Sequence, residues 1–447
     1  MKSLQGIAHR FAKRLKSGSD GHMAEVLSGA LLAFVLRAAG AALAFALNVM
    51  IGRLLGAEGA GLYFMSLSVV MVCAVVAKRG LDNALLRFIA EGAAERDWGK
   101  VKGVFALGMG LGLSASLGLS LLVLVTAPWI ASGIFNEPGL TAPLRWMSFG
   151  VAGFSIMTLL AESLKGLKRI RDSMVVSGMI YPLVALVLIG PLVSLMGPSG
   201  AVLGYTLGTG AAAAIGWLLW RRAIASQITE AVPFDRNRLW ISSRSLWVMT
   251  VINRAVLPWA PLFLLGIWGT ADDAGIFGAA TRVAMLITFF LTAVNTVIAP
   301  KFAELYTKGD IETIGRLARR FAFMLTLATS PLFVLLIFAG DWVMAMFGPE
   351  FTRGGTALAM LAVGQAVNTM TGSVGYLLMM TGHERDARNG SILAALLMVA
   401  VAFLLIPTSG LIGAALASAV AVVTANLYAS YFVVIRLKIK VIGAYGK

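Results

Sequence analysis

The sequence predicts an all-α polytopic membrane protein with twelve transmembrane helices, arranged as two six-helix lobes related by a pseudo-twofold axis along the membrane normal. Three observations predict this fold. The chain is 59% hydrophobic and 13% charged, with a mean hydropathy of +0.86, whereas a soluble domain is about half apolar and a quarter charged. Its basic residues are concentrated on one side of the spans, and its two halves repeat short motifs at a nearly constant offset.

The apolar segments are long enough to span a bilayer, which requires about 20 helical residues. No loop between them is large enough to be a separate soluble domain. The predicted spans cover residues 28–54, 60–79, 103–127, 144–165, 174–196, 200–220, 245–269, 275–298, 321–340, 356–381, 390–408 and 411–435.

The net charge of +16 reflects topology. Short connections on one side contain few basic residues, and the longer connections on the other contain most of them, which is the bias typical of cytoplasmic loops. An even number of spans then places both termini in the cytoplasm. We therefore expect no nucleic-acid partner. The Lys and Arg residues outside the basic side are Arg53, Arg145 and Arg353 in outer segments and Arg37, Arg254 and Arg282 within spans.

The predicted domains follow from these spans. Residues 1–24 place apolar side chains on one helical face and basic side chains on the rest, which favours an amphipathic helix on the inner leaflet; a basic tail that only fixes orientation is the alternative. The remaining predicted segments are the N-lobe (25–220), a cytoplasmic linker (221–244), the C-lobe (245–435) and a basic cytoplasmic tail (436–447).

The internal repeat indicates how the lobes are related. The turn GAEGAGLYF resembles GTADDAGIF and aligns Gly61 with Gly275, 214 residues apart. Phe88 aligns with Phe302 at the same spacing, and Gly197 with Gly410 at a spacing of 213. Because six spans separate equivalent residues, the two lobes have the same orientation. In transporters built this way, substrate sites lie near the interface of the repeats.

Three arginines within spans are the candidate substrate-binding residues. Arg37 lies nine residues into span 1, roughly 13 Å along its axis, and we predict that it faces Arg254 of span 7 across a central cleft, with Arg282 of span 8 further out. A charge within the membrane marks a functional site by default, and guanidinium groups bind phosphate oxygens in a bidentate manner. Structural alternatives remain open: Arg37 reaching the inner headgroups, Arg254 bonding carbonyls freed by prolines, and Arg282 pairing with Asp272 or Asp273.

Other polar residues within spans are weaker candidates. Glu162 is the carboxylate clearly inside a span; it is either a coupling site for a proton or cation, or an interfacial partner of Lys165 or Arg169. Pro258 and Pro261 are expected to bend span 7, as gate elements or as static kinks. Neutral side chains that could contact sugar in the cavity, or equally bond neighbouring helices, are Asn48, Asn253, Asn295, Gln365, Asn368 and Tyr376.

The sequence contains no motif that predicts catalysis, a metal site or a cofactor. Cys73 is the only cysteine, so no intrachain disulfide can form. The three histidines fall in predicted cytoplasmic segments. We therefore expect a protein that is not an enzyme and has no cofactor.

The segments ALNVMIGRLLGAEGAGLYFMSLSV (46–69), LLRFIAEGAAERDWGKVKG (85–103) and GLIGAALASAVAVV (410–423) resemble the Wzx-like oligosaccharide/polysaccharide (O-antigen) flippases. These belong to the multidrug/oligosaccharidyl-lipid/polysaccharide flippase superfamily. The resemblance implies a protein of the bacterial cytoplasmic membrane that moves undecaprenyl-pyrophosphate-linked oligosaccharide, such as lipopolysaccharide precursors, from the inner to the outer leaflet by alternating access.

Two other functions are compatible with this sequence. A cation-coupled multidrug antiporter would use Glu162 as the coupling site, although related antiporters hold the cation on intramembrane acids that are scarce here. A non-transporting subunit of a polysaccharide synthase complex is the other alternative. The expected partners are a lipid-linked oligosaccharide and membrane lipid; a coupling ion (H⁺ or Na⁺) and other polysaccharide-assembly proteins are further candidates.

Overall fold

The computed structural model describes residues 21–441, with side chains from residue 34 onward except at 245, 246, 293, 296 and 297. The predicted amphipathic segment 1–24 therefore lies almost wholly outside the described residues, as does the end of the predicted tail. The described residues are almost entirely helical and include no strand.

The N-terminal half packs as one group of helices, which we call the N-lobe. A π-helical turn, Val175–Met179, joins the fifth and sixth helices. The N-lobe helices are α1 (Gly21–Lys78), α2 (Leu81–Ala94), α3 (Trp98–Trp129), α4 (Thr141–Gly166), α5 (Ile170–Met174), α6 (Ile180–Met196) and α7 (Pro198–Ile224).

The C-terminal half forms a second group, the C-lobe. A π-helical turn, Ile252–Val256, joins its first two helices, and a 3₁₀ helix, Pro349–Gly354, precedes the sixth. The C-lobe helices are α8 (Arg236–Val251), α9 (Leu257–Trp268), α10 (Ala271–Thr307), α11 (Ile311–Phe338), α12 (Gly340–Met344), α13 (Gly355–Thr371), α14 (Val374–Met380) and α15 (Glu384–Leu437).

Two long helices are broken at glycines that adopt positive φ. Gly56 (φ 67°) divides α1 and Gly410 (φ 46°) divides α15, so each helix holds two of the predicted spans. Within residues 21–441, nine helices are long and apolar enough to cross a membrane. The predicted span 356–381 corresponds to α13 and α14, which Gly372 (φ 67°) separates. The chain is a multi-pass membrane protein.

The lobes are in direct contact at their predicted outer ends. Gly61 packs against the carbonyl of Ala271, and Gly275 packs against the carbonyl of Ala57, in both cases so closely that a Cβ would have no room. These two contacts are equivalent, since residues 57 and 271, like 61 and 275, are 214 apart. The Glu350 carboxylate also accepts a hydrogen bond from the Ala57 N–H (2.8 Å), capping the second half of α1 from the opposite lobe.

On the predicted inner side, the lobes meet along one edge, between α1–α2 and α8. Gly80 (φ 78°) lies against the carbonyl of Ser243, again without space for a Cβ. The non-helical segment 225–235 crosses over α3, where the Val232 N–H donates to the carbonyl of Gly99 (3.1 Å). This edge of the lobe junction is therefore shut.

Candidate functional site

A cavity of about 660 Å³ lies at the opposite edge of the lobe junction, between α1 and α10. Its walls come from both lobes: α1, the inner end of α4 and the α5–α6 region on one side, and α10 with one residue of α13 on the other. It extends from Ile170 at the predicted inner end to Asn48, close to the outer contacts. The two lobes therefore enclose a space that reaches deep into the membrane from one edge.

The charged lining of this cavity is predominantly cationic. Arg37, Lys165 and Arg282 line it together with one acid, Glu162. The Glu162 carboxylate lies 3.2 Å from the Lys165 ammonium, so these two opposite charges offset each other near the inner end. The two arginines remain as the net charge of the cavity wall, which makes it suited to an anion.

Arg282 is held by aromatic rings. Its guanidinium carbon lies 4.9 Å from the centroid of the Phe64 ring and 4.9 Å from that of the Trp259 ring. Phe64 belongs to the N-lobe, and Trp259 belongs to the C-lobe. No acid among the described side chains forms a salt bridge with Arg282; Asp272 and Asp273 instead pair with Arg353 at 3.7 and 3.6 Å.

Arg254 lies elsewhere than predicted. It is not among the residues lining the cavity with Arg37, and its guanidinium lies 3.4 Å from the buried carboxylate of Asp82, on the shut edge of the junction. The Lys78 ammonium lies 3.7 Å from the same carboxylate. The π-helical turn Ile252–Val256 explains the difference, because its additional residue changes the helical face on which Arg254 projects.

The neutral polar candidates divide into two groups. Asn48 and Gln365 line the cavity, although the Asn48 amide donates to the carbonyl of Ala44 (2.6 Å) and Gln365 accepts from Asn368 (3.3 Å). The other candidates lie outside the lining: Asn253 donates to Met249, Asn295 accepts a hydrogen bond from Ser373, Asn368 donates to Gln365, and Tyr376 is exposed.

The prolines of the predicted span 7 lie at the start of α9. Pro258 is its second residue and Pro261 lies one turn further, directly after the π-helical turn. Pro258 lacks an N–H, which is compatible with the first turn of a helix. The irregular backbone of this span is therefore the π-helical turn itself, which contains Arg254 and ends two residues before Pro258.

Three neighbours of the candidate residues were not identified from the sequence: Asp82, Phe64 and Trp259. Lys165 is the partner of Glu162, as one of the two alternatives predicts. Asp82 lies between the predicted spans 60–79 and 103–127, and only the tertiary fold places it next to Arg254, 172 residues away. In the sequence, Phe64 and Trp259 look like ordinary apolar residues of their spans, because nothing in the sequence shows that they contact Arg282.

Within the described residues, no group of three or more His, Cys, Asp or Glu could hold a metal ion.

A family comparison agrees with this architecture. Residues 26–306 match the family model described as polysaccharide biosynthesis protein. The chain belongs to this family. A probable low-salt glycan biosynthesis flippase, Agl15, of Haloferax volcanii is 24% identical over 231 residues, which are 51% of this chain and about half (49%) of that relative's length. Stage V sporulation protein B of Bacillus subtilis is 22% identical over 415 residues, 86% of this chain and 79% of that protein.

Solved structures of other proteins have the same fold as this chain. The inward closed conformation of the lipid II flippase MurJ superposes with a TM-score of 0.71 at 14% identity, covering 90% of this chain and 87% of that one. An inward-facing multidrug resistance MATE family transporter of the MOP superfamily gives 0.67 at 15% identity, covering 92% and 98%. The chain therefore shares its fold with these two membrane proteins.

Proposed function

We propose that this protein is a flippase that moves an undecaprenyl-pyrophosphate-linked oligosaccharide from the inner to the outer leaflet of a bacterial cytoplasmic membrane by alternating access. It would act without a catalytic reaction or a cofactor, with both termini in the cytoplasm. The observation that carries the proposal is the cavity between the lobes, which is lined by Arg37 and Arg282; neither forms a salt bridge with an acid among the described side chains. The family match and the glycan flippase relative support the class of cargo.

Arg37 and Arg282 line the same cavity, with Arg282 roughly 6 Å further out along the membrane normal. The rings of Phe34 on α1 and Phe289 on α10 are in contact, with centroids 5.8 Å apart, and mark a common level. Arg37 is three residues further out along α1, about 4.5 Å, and Arg282 is seven residues further out along α10, about 10 Å. The cavity therefore offers guanidinium groups at two depths, and each can bind phosphate oxygens of the cargo with a bidentate pair of hydrogen bonds.

The same edge of the junction can accommodate the two ends of such a cargo. Apolar side chains of α1 and α10 outside the cavity lining are exposed, including Val35 (53%) and Phe290 (42%), so the polyprenyl tail would remain in lipid beside them. The glycan would extend into the cavity, where Asn48 and Gln365 offer amide groups to sugar hydroxyls.

Reconstitution in liposomes tests this proposal. The probe is a polyprenyl-pyrophosphate-linked oligosaccharide with a fluorescent sugar, whose movement between leaflets is followed with a membrane-impermeant quencher. We expect the wild-type protein to move it and the double variant Arg37→Ala/Arg282→Ala to lose at least about tenfold in rate, because charge-assisted hydrogen bonds to phosphate are lost. The control Arg145→Ala removes an arginine outside the cavity. A double variant as fast as wild type would contradict the site.

One observation favours a second candidate function. Glu162 lines the cavity, as the coupling residue of a cation-coupled multidrug antiporter would. Loss of drug resistance in Glu162→Gln, in cells expressing the protein, would favour this function over the flippase. A non-transporting subunit of a polysaccharide synthase complex would show no movement of the labelled lipid-linked sugar in the same liposomes.

A further inference from the structure

Arg282 differs from the ion-paired arginines Arg254, Arg353 and Arg436 because its close partners in the described part of the chain are aromatic. Arg254, Arg353 and Arg436 each lie within 4 Å of a carboxylate. Arg282 instead lies over the rings of Phe64 and Trp259. A cation over an aromatic face is attracted by the ring quadrupole, and the attraction strengthens where water is excluded. An aromatic ring does not compensate the guanidinium charge as a carboxylate does, and the in-plane N–H groups stay available to a bidentate acceptor.

Phe64 is also part of the contact that closes the outer ends of the lobes. Its ring packs on Gly278 so closely that a Cβ there would overlap the ring. Residues 64 and 278 are 214 apart, so Phe64 packs on its own repeat equivalent, one turn from the Gly61 and Gly275 contacts. Phe64 is buried, at 1% exposure. Any movement that separates the outer ends of the lobes removes this ring from Arg282.

Trp259 behaves differently because it lies on the same lobe as Arg282. Trp259 lies in α9 and Arg282 lies in the next helix, α10. A movement of the lobes as units leaves this ring next to the guanidinium. Trp259 therefore contacts Arg282 in every arrangement of the lobes, whereas Phe64 contacts it only when the outer ends of the lobes are in contact.

We propose that Phe64 is a positioning residue that sets the affinity of Arg282 for the phosphate of the cargo. With the outer ends in contact, both rings hold the guanidinium in place for phosphate oxygens in the cavity. When the lobes separate on the outer side, Phe64 moves away with the N-lobe, the guanidinium loses one of its two supports, and phosphate binding weakens where release is required. This inference rests on the proposed function, since it assigns the cargo phosphate to Arg282.

Fluorinated phenylalanines at position 64 test the inference with little change in side-chain volume. Each added fluorine withdraws electron density from the ring face and weakens its attraction for a cation, while apolar packing is retained. The measurement is the Kd for inorganic pyrophosphate and for a short-chain polyprenyl-pyrophosphate disaccharide, with the protein in nanodiscs. We expect the Kd to rise stepwise across the mono-, di- and trifluoro series, by about three- to tenfold in total.

The matched control is the same series at Phe135, another buried ring whose neighbours are Phe263 and Gly266. We expect no trend there. A flat series at Phe64, in a protein whose wild type binds pyrophosphate and moves the labelled lipid, overturns the inference and leaves the proposed function standing. A wild-type protein that neither binds pyrophosphate nor moves the lipid overturns both.

Discussion

Arg254 and Arg282 both connect the two lobes, but their partners differ. Arg254 pairs with the Asp82 carboxylate, which the Lys78 ammonium also approaches, on the shut edge of the junction. Arg282 lies over Phe64 and Trp259, at the edge that contains the cavity. A carboxylate neutralises a guanidinium, whereas an aromatic ring fixes its position and leaves the charge uncompensated. The partner therefore indicates which intramembrane arginine serves the structure and which is available to an anionic cargo.

The largest effect is expected from changing the carboxylate that pairs with Arg254, which is that of Asp82. Asp82 is 1% exposed and the side chain of Lys78 is 3% exposed. The variant Asp82→Asn leaves the buried Lys78 charge uncompensated, so we expect it to lower the free energy of unfolding by about 3 kcal/mol. Thermal unfolding of the purified protein measures this change.

The paired variant Lys78→Met/Asp82→Leu provides the control for this prediction. It removes both buried charges together, and Arg254, whose side chain is 53% exposed, can still reach water. We expect it to be more stable than Asp82→Asn. Equal stability of Asp82→Asn and wild type would show that this cluster contributes nothing to the shut edge.

The outer contact should respond to a single added methyl group. In Gly275→Ala the Cβ would meet the carbonyl of Ala57, so we expect the outer ends of the lobes to separate at a cost of about 1–3 kcal/mol. Spin labels on the two lobes would report a longer distance between the outer ends. The matched control is Gly118→Ala, because nothing lies within 4 Å of a Cβ at that position; unchanged distances in both variants would contradict the described closure.

The smallest effect is expected for a neutral side chain of the cavity. Gln365 lines it and Asn253 does not. Loss of one hydrogen bond to a sugar hydroxyl is worth about 0.5–1 kcal/mol. We therefore expect Gln365→Ala to slow translocation of the labelled lipid by about two- to fivefold and Asn253→Ala to leave it unchanged; the reverse order of rates would exclude Gln365 from sugar contact.

Much of the fold could be predicted from the sequence because lipid imposes a simple pattern. Long apolar segments specify helices, and glycine-containing turns such as those at Gly56 and Gly410 specify where one span ends and the next begins. The repeat at a spacing of 214 also anticipated a symmetric junction. The structure brings Gly61 and Gly275 together there, because close approach of backbones requires residues without side chains.

The partners of the arginines could not be predicted in the same way. The position of Arg254 depends on the π-helical turn Ile252–Val256, which changes its helical face and has no sequence signature of its own. Asn295 and Asn48 are both asparagines within apolar spans, so the sequence does not distinguish them. In the structure, Asn295 is buried against Ser373, whereas Asn48 lines the cavity. Whether a neutral polar group faces a neighbouring helix or a cavity is decided by tertiary packing, which hydropathy does not encode.

The most direct test of the account compares the two arginines in one assay. Pyrophosphate affinity is measured for Arg282→Gln and Arg254→Gln in nanodiscs, with folding of both variants checked by their thermal unfolding. We predict that Arg282→Gln raises the Kd at least about tenfold, since a charge-assisted pair of hydrogen bonds is lost, and that Arg254→Gln changes it less than about twofold. An equal loss in both variants, or a larger loss in Arg254→Gln, would contradict the claim that the ring-held arginine binds the cargo.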